Sequence, residues 1–192
     1  MTLAILILAA GQSSRMRGGD KLRQTVDGKP LLTVLAGRAL ATGLPVWITL
    51  PGLDHPRAQT LPPGVTPVPV PDAAQGMGAS IRAGISALPD SIDATMILPA
   101  DMPELTAADL CHMADTYAGG ILRATSAAGT PGHPVVFPAS LFAELRGLTG
   151  DEGARHVISA NRDALHLIPL PDAHATTDLD TPEAWAAWRA RQ

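Results

Sequence analysis

The sequence predicts a three-layer α/β fold in which a mostly parallel central sheet is flanked by helices. Short apolar runs typical of buried strands alternate along the chain with stretches whose apolar residues recur at helical spacing. No internal repeat or low-complexity segment interrupts that alternation. A length of 192 residues suits one domain with a sizeable core, so we expect a single domain over residues 1–192.

Seven strands and six helices are expected in chain order. The strands are predicted at 4–8, 46–50, 66–70, 94–98, 120–124, 134–137 and 165–170. The helices are predicted at 31–42, 77–88, 107–117, 139–146, 153–161 and 182–190. Thr106 with Asp109 has the pattern of a capping box, and Thr181 before Pro182 is typical of an N-cap followed by the first helical residue.

Two further segments are interpreted from their composition. Residues 51–71 are rich in proline, which cannot donate to a sheet ladder, so we expect an irregular connection around one short edge strand. Trp185 and Trp188 lie one turn apart in the last predicted helix. This spacing favours docking of the helix on the core over ligand binding by the indole rings.

Composition and charge exclude several classes of partner. The formal net charge is −4 and no lysine- or arginine-rich run is present, so nucleic acid is not an expected partner. No apolar run is long enough to span a bilayer, so no membrane partner is expected either. The single cysteine, Cys111, excludes an internal disulfide framework and a cysteine-rich zinc site. We therefore expect a cytoplasmic protein in which a bound anion meets a local basic cluster.

The segment LAAGQSSRMRGGDKL, residues 8–22, has the composition of a phosphate-binding loop and follows the first predicted strand. In an open parallel sheet, ligands collect at the carboxyl ends of the strands. Ala9, Ala10 and Gly11 have almost no side chain, so backbone amides there can approach a ligand closely. Hydroxyl and cationic groups suited to phosphate follow at Ser13, Ser14, Arg15 and Lys21. The loop is predicted to hold a nucleoside triphosphate; the alternative is an ordinary glycine-rich connection with a solvated arginine and lysine.

The glycine spacing excludes two familiar phosphate-binding motifs. A Walker-type loop needs four residues between its glycine and Gly-Lys-Ser/Thr, whereas six residues separate Gly11 from Gly18. The dinucleotide fingerprint also fails, because Gly11 has no glycine two residues further on and Ile81 occupies the third small position after Gly76. Hydride-transfer chemistry is therefore disfavoured.

Acidic residues in two later segments predict a magnesium site. Asp101 follows the apolar run 94–98, so its carboxylate is expected at the carboxyl edge of the sheet. Asp178 and Asp180 are two residues apart and share one face if that segment is extended. Mg²⁺ prefers hard oxygen ligands, so Asp101 is a predicted ligand and the pair Asp178 and Asp180 offers a second carboxylate for the same ion. Capping of the last helix is the alternative role for Asp180.

Taken together, the motifs resemble those of the molybdenum cofactor nucleotidyltransferases, specifically the MocA-like cytidylyltransferase branch of the MobA-like NTP transferases. The resemblance covers nearly the whole chain. After the first loop, the matching segments are PDAAQGMGASIRAGI, PADMPEL, PGHPVVF, GDEGAR and TDLDTPEAW. The first loop is typical of the whole superfamily. The Pro-Gly-His-Pro and Gly-Met-Gly-x-Ser segments are more specific and favour the cytidylyltransferase branch. The resemblance implies a three-layer, Rossmann-like nucleotidyltransferase fold.

The resemblance also implies a role for each motif residue. The base and ribose are expected at Ala9, Ala10 and Gly11, and the nucleotide phosphates at Ser13, Ser14, Arg15 and Lys21. Asp101 is expected on Mg²⁺ with Asp180 as second ligand, and the catalytic set is Arg15, Lys21 and Asp101. Residues expected around nucleotide and acceptor are Asp72, Gly76, Gly78 and Ser80, with His133 and Pro134 in the acceptor half. Lys21 is expected to be exposed and to contribute little to folding.

The activity implied by the resemblance is transfer of CMP from CTP to the terminal phosphate of molybdopterin-type molybdenum cofactor, with release of pyrophosphate. The expected substrates are CTP, or another nucleoside triphosphate, and that cofactor; a client molybdoenzyme or its chaperone is the expected protein partner. Three alternatives stay open. They are a guanylyltransferase of the same cofactor, in which glycine is expected in place of Ala10, a sugar- or alditol-phosphate cytidylyltransferase, and a non-catalytic cofactor carrier or chaperone.

Overall fold

The computed structural model describes residues 1–151 and 153–191. The strands in these residues are β1 (Leu3–Leu8), β2 (Thr25–Val26), β3 (Lys29–Pro30), β4 (Val46–Leu50), β5 (Val65–Pro69), β6 (Ala94–Pro99), β7 (Ile121–Thr125), β8 (Pro131–Pro138) and β9 (Leu165–Pro169). The helices are α1 (Leu31–Leu40), α2 (Met77–Ser86), α3 (Ala107–Thr116), α4 (Phe142–Arg146), α5 (Arg155–Ala160) and α6 (Pro182–Arg189). None of these helices has both the length and the apolar character that crossing a bilayer requires.

Seven strands form one sheet in the order β5-β4-β1-β6-β8-β7-β9, and β2 pairs with β3 in a separate hairpin. Strands β5, β4, β1 and β6 run parallel, β8 is antiparallel to both of its neighbours, and β9 runs parallel to β7. The predicted α/β class with a mostly parallel sheet is confirmed. The proline-rich connection is also confirmed as irregular, with β5 at the edge of the sheet.

Several element boundaries differ from the prediction. β8 begins at Pro131, earlier than predicted, and the predicted helix at 139–146 opens with a 3₁₀ turn at Ala139–Leu141 before α4. α5 is shorter than the predicted helix at 153–161. The sequence pattern does not predict the β2–β3 hairpin, because strands of two residues are too short to show alternation. Glu152, within the GDEGAR segment, lies outside the described residues.

Helices cover both faces of the sheet, as buried parallel strands require. On one face, Ile5 and Ile7 of β1 pack in the same cluster as residues of α1, α3 and α6. On the other face, Ala4 and Leu6 pack with residues of α2, α4 and α5. Trp185 and Trp188 are buried in the first cluster, which confirms that they dock the last helix on the core.

The strand order reverses between β1 and β6, and this reversal positions the functional site. The chain passes from β1 to β4 and β5 on one side, then crosses to β6 on the other side. Leu8 at the end of β1 pairs in register with Pro99 at the end of β6. The segments that follow the two strands therefore begin side by side, at the place where open α/β sheets bind ligands.

Both predicted helix starts are present. Thr106 and Asp109 form a complete capping box at α3. At α6, the hydroxyl of Thr181 accepts a hydrogen bond of 3.1 Å from the Ala184 amide, and Pro182 is the first helical residue. Because Thr181 supplies the cap, the carboxylate of Asp180 is left for another role.

Candidate active site

A cavity of about 410 Å³ opens at the carboxyl ends of β1 and β6. Its walls are formed by the first loop, the start of α2, and the segments that contain Asp101 and Asp180. Of the residues predicted at the site, those that line it are Ala10, Gly11, Ser13, Ser14, Arg15, Lys21, Gly76, Ser80, Asp101 and Asp180. The fold thus brings together predicted phosphate-binding and metal-binding residues that are far apart in the sequence.

Backbone hydrogen bonds assemble the acidic side of the cavity. The Ala100 amide donates to the carbonyl oxygen of Leu8 over 3.0 Å, which holds the segment after β6 beside the first loop. The Leu179 amide donates to the carbonyl oxygen of Asp101 over 3.1 Å. As a result, one carboxylate oxygen from each of Asp101, Asp178 and Asp180 lies within 4.8 Å of the others.

The two cationic residues of the first loop pair with these carboxylates. Lys21 Nζ lies 2.5 Å from Asp101 Oδ2 and 2.6 Å from Asp180 Oδ1, and Arg15 pairs with the other oxygen of Asp180. Only 17% of the Lys21 side chain is exposed, so the expectation that this lysine is exposed is wrong, and so is the alternative of a solvated surface charge. The reason is tertiary: Lys21 pairs with Asp101 and Asp180, which lie far away in the sequence and are brought beside it by the fold.

The charged groups of the cluster shift one another's pKa values. Burial opposes the charged form of Lys21, but Asp101 and Asp180 outweigh it and raise the pKa of the ammonium group above its ordinary value. Burial likewise opposes ionisation of Asp180, but Lys21 and Arg15 hold the pKa of its carboxyl group below its ordinary value. Burial and the neighbouring Asp101 and Asp180 carboxylates raise the pKa of Asp178. The cluster is therefore ionic, with more carboxylate charge than Lys21 alone neutralises.

The donor set fits a hard divalent cation. Oδ1 of Asp101 is buried and has no hydrogen-bond partner among the described residues, although a buried carboxylate oxygen normally has one. The three aspartates offer only oxygen ligands, which Mg²⁺ and Mn²⁺ prefer. Asp101, Asp178 and Asp180 are thus the residues that could hold such an ion.

The first loop has a strained backbone that packing from behind supports. Ser13 has a φ of 52° and Arg17 a φ of 50°, a left-handed backbone conformation that residues other than glycine rarely adopt. Asp20 accepts a hydrogen bond of 3.0 Å from the Leu22 amide and caps the turn that contains Lys21. Arg57, a residue that the sequence patterns do not single out, contacts the loop from the irregular connection after β4.

Two predicted glycine positions are explained by close backbone packing. Gly76 has a φ of 103°, and a Cβ there would collide with Asp151 and the Gly150 backbone. A Cβ on Gly78 would lie 3.0 Å from the carbonyl oxygen of Gly150, to which the Gly78 amide also donates. Gly76 lines the cavity and Gly78 does not. Gly78 therefore serves the contact between α2 and the loop after α4 rather than direct contact with a ligand.

Four other predicted residues also lie outside the cavity lining. Ala9 is buried in the core, and its amide donates to the Thr49 carbonyl oxygen over 3.1 Å. Asp72 pairs with Arg82 of α2. His133 and Pro134 lie on β8, where the His133 amide donates to the Ala175 carbonyl oxygen over 2.8 Å. Their predicted ligand contacts stay a hypothesis.

Comparison with known proteins identifies the family. The sequence profile of the MobA-like NTP transferase domain matches residues 5–165. The chain belongs to this family. The matched span contains the first loop and Asp101 and ends before Asp178 and Asp180. Membership makes the chain a nucleotidyltransferase whose substrate is a nucleoside triphosphate.

Related proteins agree with this assignment. The purine catabolism protein PucB of Bacillus subtilis (strain 168) is 27% identical over 191 residues, which cover 94% of this chain and 92% of PucB. Rv0371c of Mycobacterium tuberculosis H37Rv superposes with a TM-score of 0.86 at 23% identity, covering 98% of this chain and 97% of that one. The same protein solved in complex with manganese gives a TM-score of 0.82 at 22% identity, with 97% of both chains covered. A CMP:2-keto-3-deoxy-manno-octonic acid synthetase solved with CTP gives 0.75 at 15% identity, covering 100% and 98%. At these identities the solved structures establish the nucleotidyltransferase fold.

His133 gives this MobA-like nucleotidyltransferase a pH-dependent stability. Burial and the positive charge of Arg123 lower the pKa of its imidazole from 6.5 to about 4, and Nδ1 is buried without a partner among the described residues. In the unfolded chain the His133 imidazole therefore becomes protonated near pH 6.5, whereas in the folded chain it stays neutral until about pH 4. We expect the unfolding free energy contributed by His133 to be complete above pH 6.5 and to fall by about 3 kcal/mol as the pH drops to 4.

Urea titrations in EDTA between pH 7.5 and 4 would measure this effect. His133→Asn keeps a polar side chain without the titration, so the difference in unfolding free energy between wild type and variant should change over this range. Titration of the carboxylates is common to both proteins and cancels in that difference. A difference that stays constant with pH would contradict the prediction.

Proposed function

We propose that this nucleotidyltransferase transfers CMP from CTP to the terminal phosphate of molybdopterin-type molybdenum cofactor and releases pyrophosphate. The observation that carries the proposal is the meeting of Lys21 and Arg15 with the carboxylates of Asp101 and Asp180 in one cavity. A site with this composition suits a polyanionic nucleotide and a divalent cation together. A protein that only carries the finished cofactor has no need for that combination.

The phosphates of CTP are assigned to the basic half of the cavity. Lys21 and Arg15 supply positive charge, and the hydroxyl groups of Ser13 and Ser14 supply hydrogen-bond donors. The amino-terminal end of α2, with Gly76 at its cap, also lines the cavity and offers a partial positive charge to phosphate oxygens. Both groups of donors are therefore available to the triphosphate.

Mg²⁺ is assigned to Asp101 and Asp180, with Asp178 as a further source of oxygen. When bound there, Mg²⁺ supplies Lewis-acid stabilisation of negative charge on the phosphates. Manganese in the solved relative supports a divalent cation of this class. Lys21, already between the two main carboxylates, shares its ammonium group between them and the nucleotide phosphates.

The transfer is an in-line displacement at the α-phosphorus of CTP. An oxygen of the acceptor's terminal phosphate forms a bond to this phosphorus, and the bond to the bridging oxygen of the β-phosphate breaks. Pyrophosphate leaves with the electron pair of that bond. The attacking phosphate is already anionic at neutral pH, so catalysis depends on positioning and on charge neutralisation by Lys21 and Arg15 rather than on a general base.

The acceptor is assigned to the side of the cleft near His133 and Pro134, with Asp72 and Ser80 between acceptor and nucleotide. His133 is neutral at pH 7 because burial and Arg123 lower its pKa to about 4. A neutral imidazole can donate or accept a hydrogen bond without adding charge. The product is passed to a client molybdoenzyme or its chaperone, which is the expected protein partner.

The choice of CTP over GTP is assigned to Ala10. Its methyl group packs against Val70 and Ala79, and the residue lines the cavity. We expect Ala10→Gly to raise the kcat/KM ratio of GTP to CTP by about 10- to 200-fold, equivalent to about 1–3 kcal/mol, because the space left by the methyl group admits a larger base. The comparison holds acceptor and Mg²⁺ fixed. An unchanged ratio would move the cause of selectivity to the segment around Val70.

Pyrophosphate release tests the proposed function. The wild-type protein is assayed with each of the four nucleoside triphosphates, with reduced molybdenum cofactor, with sugar phosphates and without an acceptor. We expect fast release only with CTP and the cofactor. A preference for GTP would identify a guanylyltransferase, a preference for sugar phosphates would identify another acceptor, and no release in any combination would identify a carrier.

A further inference from the structure

Arg57 is the most completely bonded charged side chain near the site, although it belongs to the proline-rich connection after β4. Its residue is only 2% exposed. The guanidinium donates to the carbonyl oxygens of Ala9 and Gly11 over 2.6 and 2.7 Å. It also donates to Ser13 Oγ over 3.0 Å and to both carboxylate oxygens of Asp20 over 2.8 Å. All five N–H donors of the guanidinium are used in these contacts.

These contacts approach the first loop from behind. Ala10, Gly11 and Ser13 line the cavity, whereas Arg57 is not among its described lining residues. Arg57 therefore cannot be a ligand of the nucleotide in this arrangement. Its charge acts on the loop itself.

The contacts fix two features that a nucleotide site needs. Carbonyl oxygens repel phosphate, and the guanidinium binds two of them in the segment where close approach to the nucleotide is expected. Ser13 holds a left-handed φ of 52°, and strain of this kind persists only where surrounding contacts enforce it. Arg57 and Asp20 both bond the Ser13 hydroxyl.

The same contacts reach the catalytic lysine. Asp20 immediately precedes Lys21 and caps the 3₁₀ turn Lys21–Arg23. It also forms a bidentate ion pair with Arg57. Burial opposes ionisation of Asp20, but its hydrogen bonds and ion pair with Arg57 hold the pKa of this carboxyl group below its ordinary value. The Lys21 amide donates to Ser13 Oγ over 3.3 Å, which links the two halves of the loop.

We propose that Arg57 is a positioning residue that holds the first loop in its nucleotide-binding conformation, acting through Ala9, Gly11, Ser13 and Asp20. This inference rests on the proposed nucleotide site. Lysine cannot replace Arg57, because one ammonium group has three donors at a single point and cannot reach five acceptor atoms spread around a planar fork. A positioning role predicts that nucleotide binding weakens even where the variant is fully folded.

The test compares Arg57→Lys with a variant that is destabilised in the core, away from the cavity. Met113→Ala removes a fully buried side chain from α3, which contains none of the predicted site residues, and is expected to lower Tm. Dissociation constants are measured by calorimetry with Mg²⁺ at a temperature well below both Tm values. The ligand is whichever of the four nucleoside triphosphates the wild type binds most tightly.

We expect Arg57→Lys to weaken nucleotide binding by about 10-fold or more and to raise the KM for nucleotide while the KM for the acceptor stays nearly constant. Met113→Ala should bind nucleotide as the wild type does. Asp20→Asn keeps the size of the side chain but weakens the pair with Arg57, and should give a smaller loss of affinity. It serves as the test if Arg57→Lys does not fold.

Wild-type affinity in folded Arg57→Lys, or in Asp20→Asn, would overturn the inference. An equal loss in Met113→Ala would also overturn it, because general destabilisation would then explain the effect. Tightest binding of a nucleotide other than CTP contradicts the proposed base preference and leaves the test of Arg57 intact. If the wild type binds no nucleotide, both the proposed function and the positioning role of Arg57 are overturned.

Discussion

Replacing Asp101 with asparagine is expected to lower kcat for CMP transfer about 1,000-fold, equivalent to about 4 kcal/mol of transition-state stabilisation. The substitution keeps the shape of the side chain but removes the charge of the most buried carboxylate in the cluster. Folding should be retained, because a neutral amide at this position relieves repulsion among three close carboxylates. Pyrophosphate release at saturating Mg²⁺ and thermal melting in EDTA are the measurements.

A matched variant separates this effect from a general loss of charge. Asp115 lies exposed on α3, and Asp115→Asn should leave transfer and Tm close to those of the wild type. Near-normal turnover of Asp101→Asn at saturating Mg²⁺ would contradict the assignment of Asp101. A large fall in Tm in EDTA would instead indicate that the carboxylate is needed chiefly for folding.

Lys21→Met is the second substitution with a large expected effect. Lys21 is the cation between Asp101 and Asp180, and its removal leaves the carboxylates of the cluster without their central counter-charge. We expect the metal-free protein to lose about 2 kcal/mol of unfolding free energy, because this pair is only partly buried. Affinity for CTP should fall about 30-fold or more, because a partly desolvated cation is lost from the phosphate site.

Addition of Mg²⁺ distinguishes the two losses. If Asp101 and Asp180 bind Mg²⁺, adding Mg²⁺ should restore the Tm of Lys21→Met. The affinity of this variant for CTP should stay low. The exposed cation Lys29, at the β2–β3 hairpin, provides the control, and Lys29→Met should match the wild type in both measurements. Wild-type affinity for CTP in Lys21→Met would contradict the phosphate role of the lysine.

Much of the fold and half of the site follow from local sequence patterns. Apolar runs locate β1 and β6, and residues that directly follow these strands must meet at the carboxyl edge of the sheet. This reasoning finds the first loop and Asp101 without a structure. It also finds the α6 start, because Thr181 and Pro182 mark it locally.

The remainder depends on contacts that no local pattern encodes. Lys21 pairs with Asp101 and Asp180, which lie 80 and 159 positions further along the chain, so no local pattern could predict its burial. Arg57 lies in an irregular connection, and its relevance emerges only when β4 is known to neighbour β1. Gly78 has the spacing of a ligand-binding glycine, yet its packing against Gly150 accounts for it.

The stoichiometry of the reaction tests the central claim most directly. The wild-type protein is incubated with CTP, Mg²⁺ and reduced molybdenum cofactor, and pyrophosphate and pterin-containing products are quantified by mass spectrometry. We predict one pyrophosphate for each cofactor molecule that gains a CMP group, with neither product formed when the acceptor is omitted. Pyrophosphate without a CMP-modified cofactor, or a cofactor that gains GMP faster from GTP, would contradict the claim.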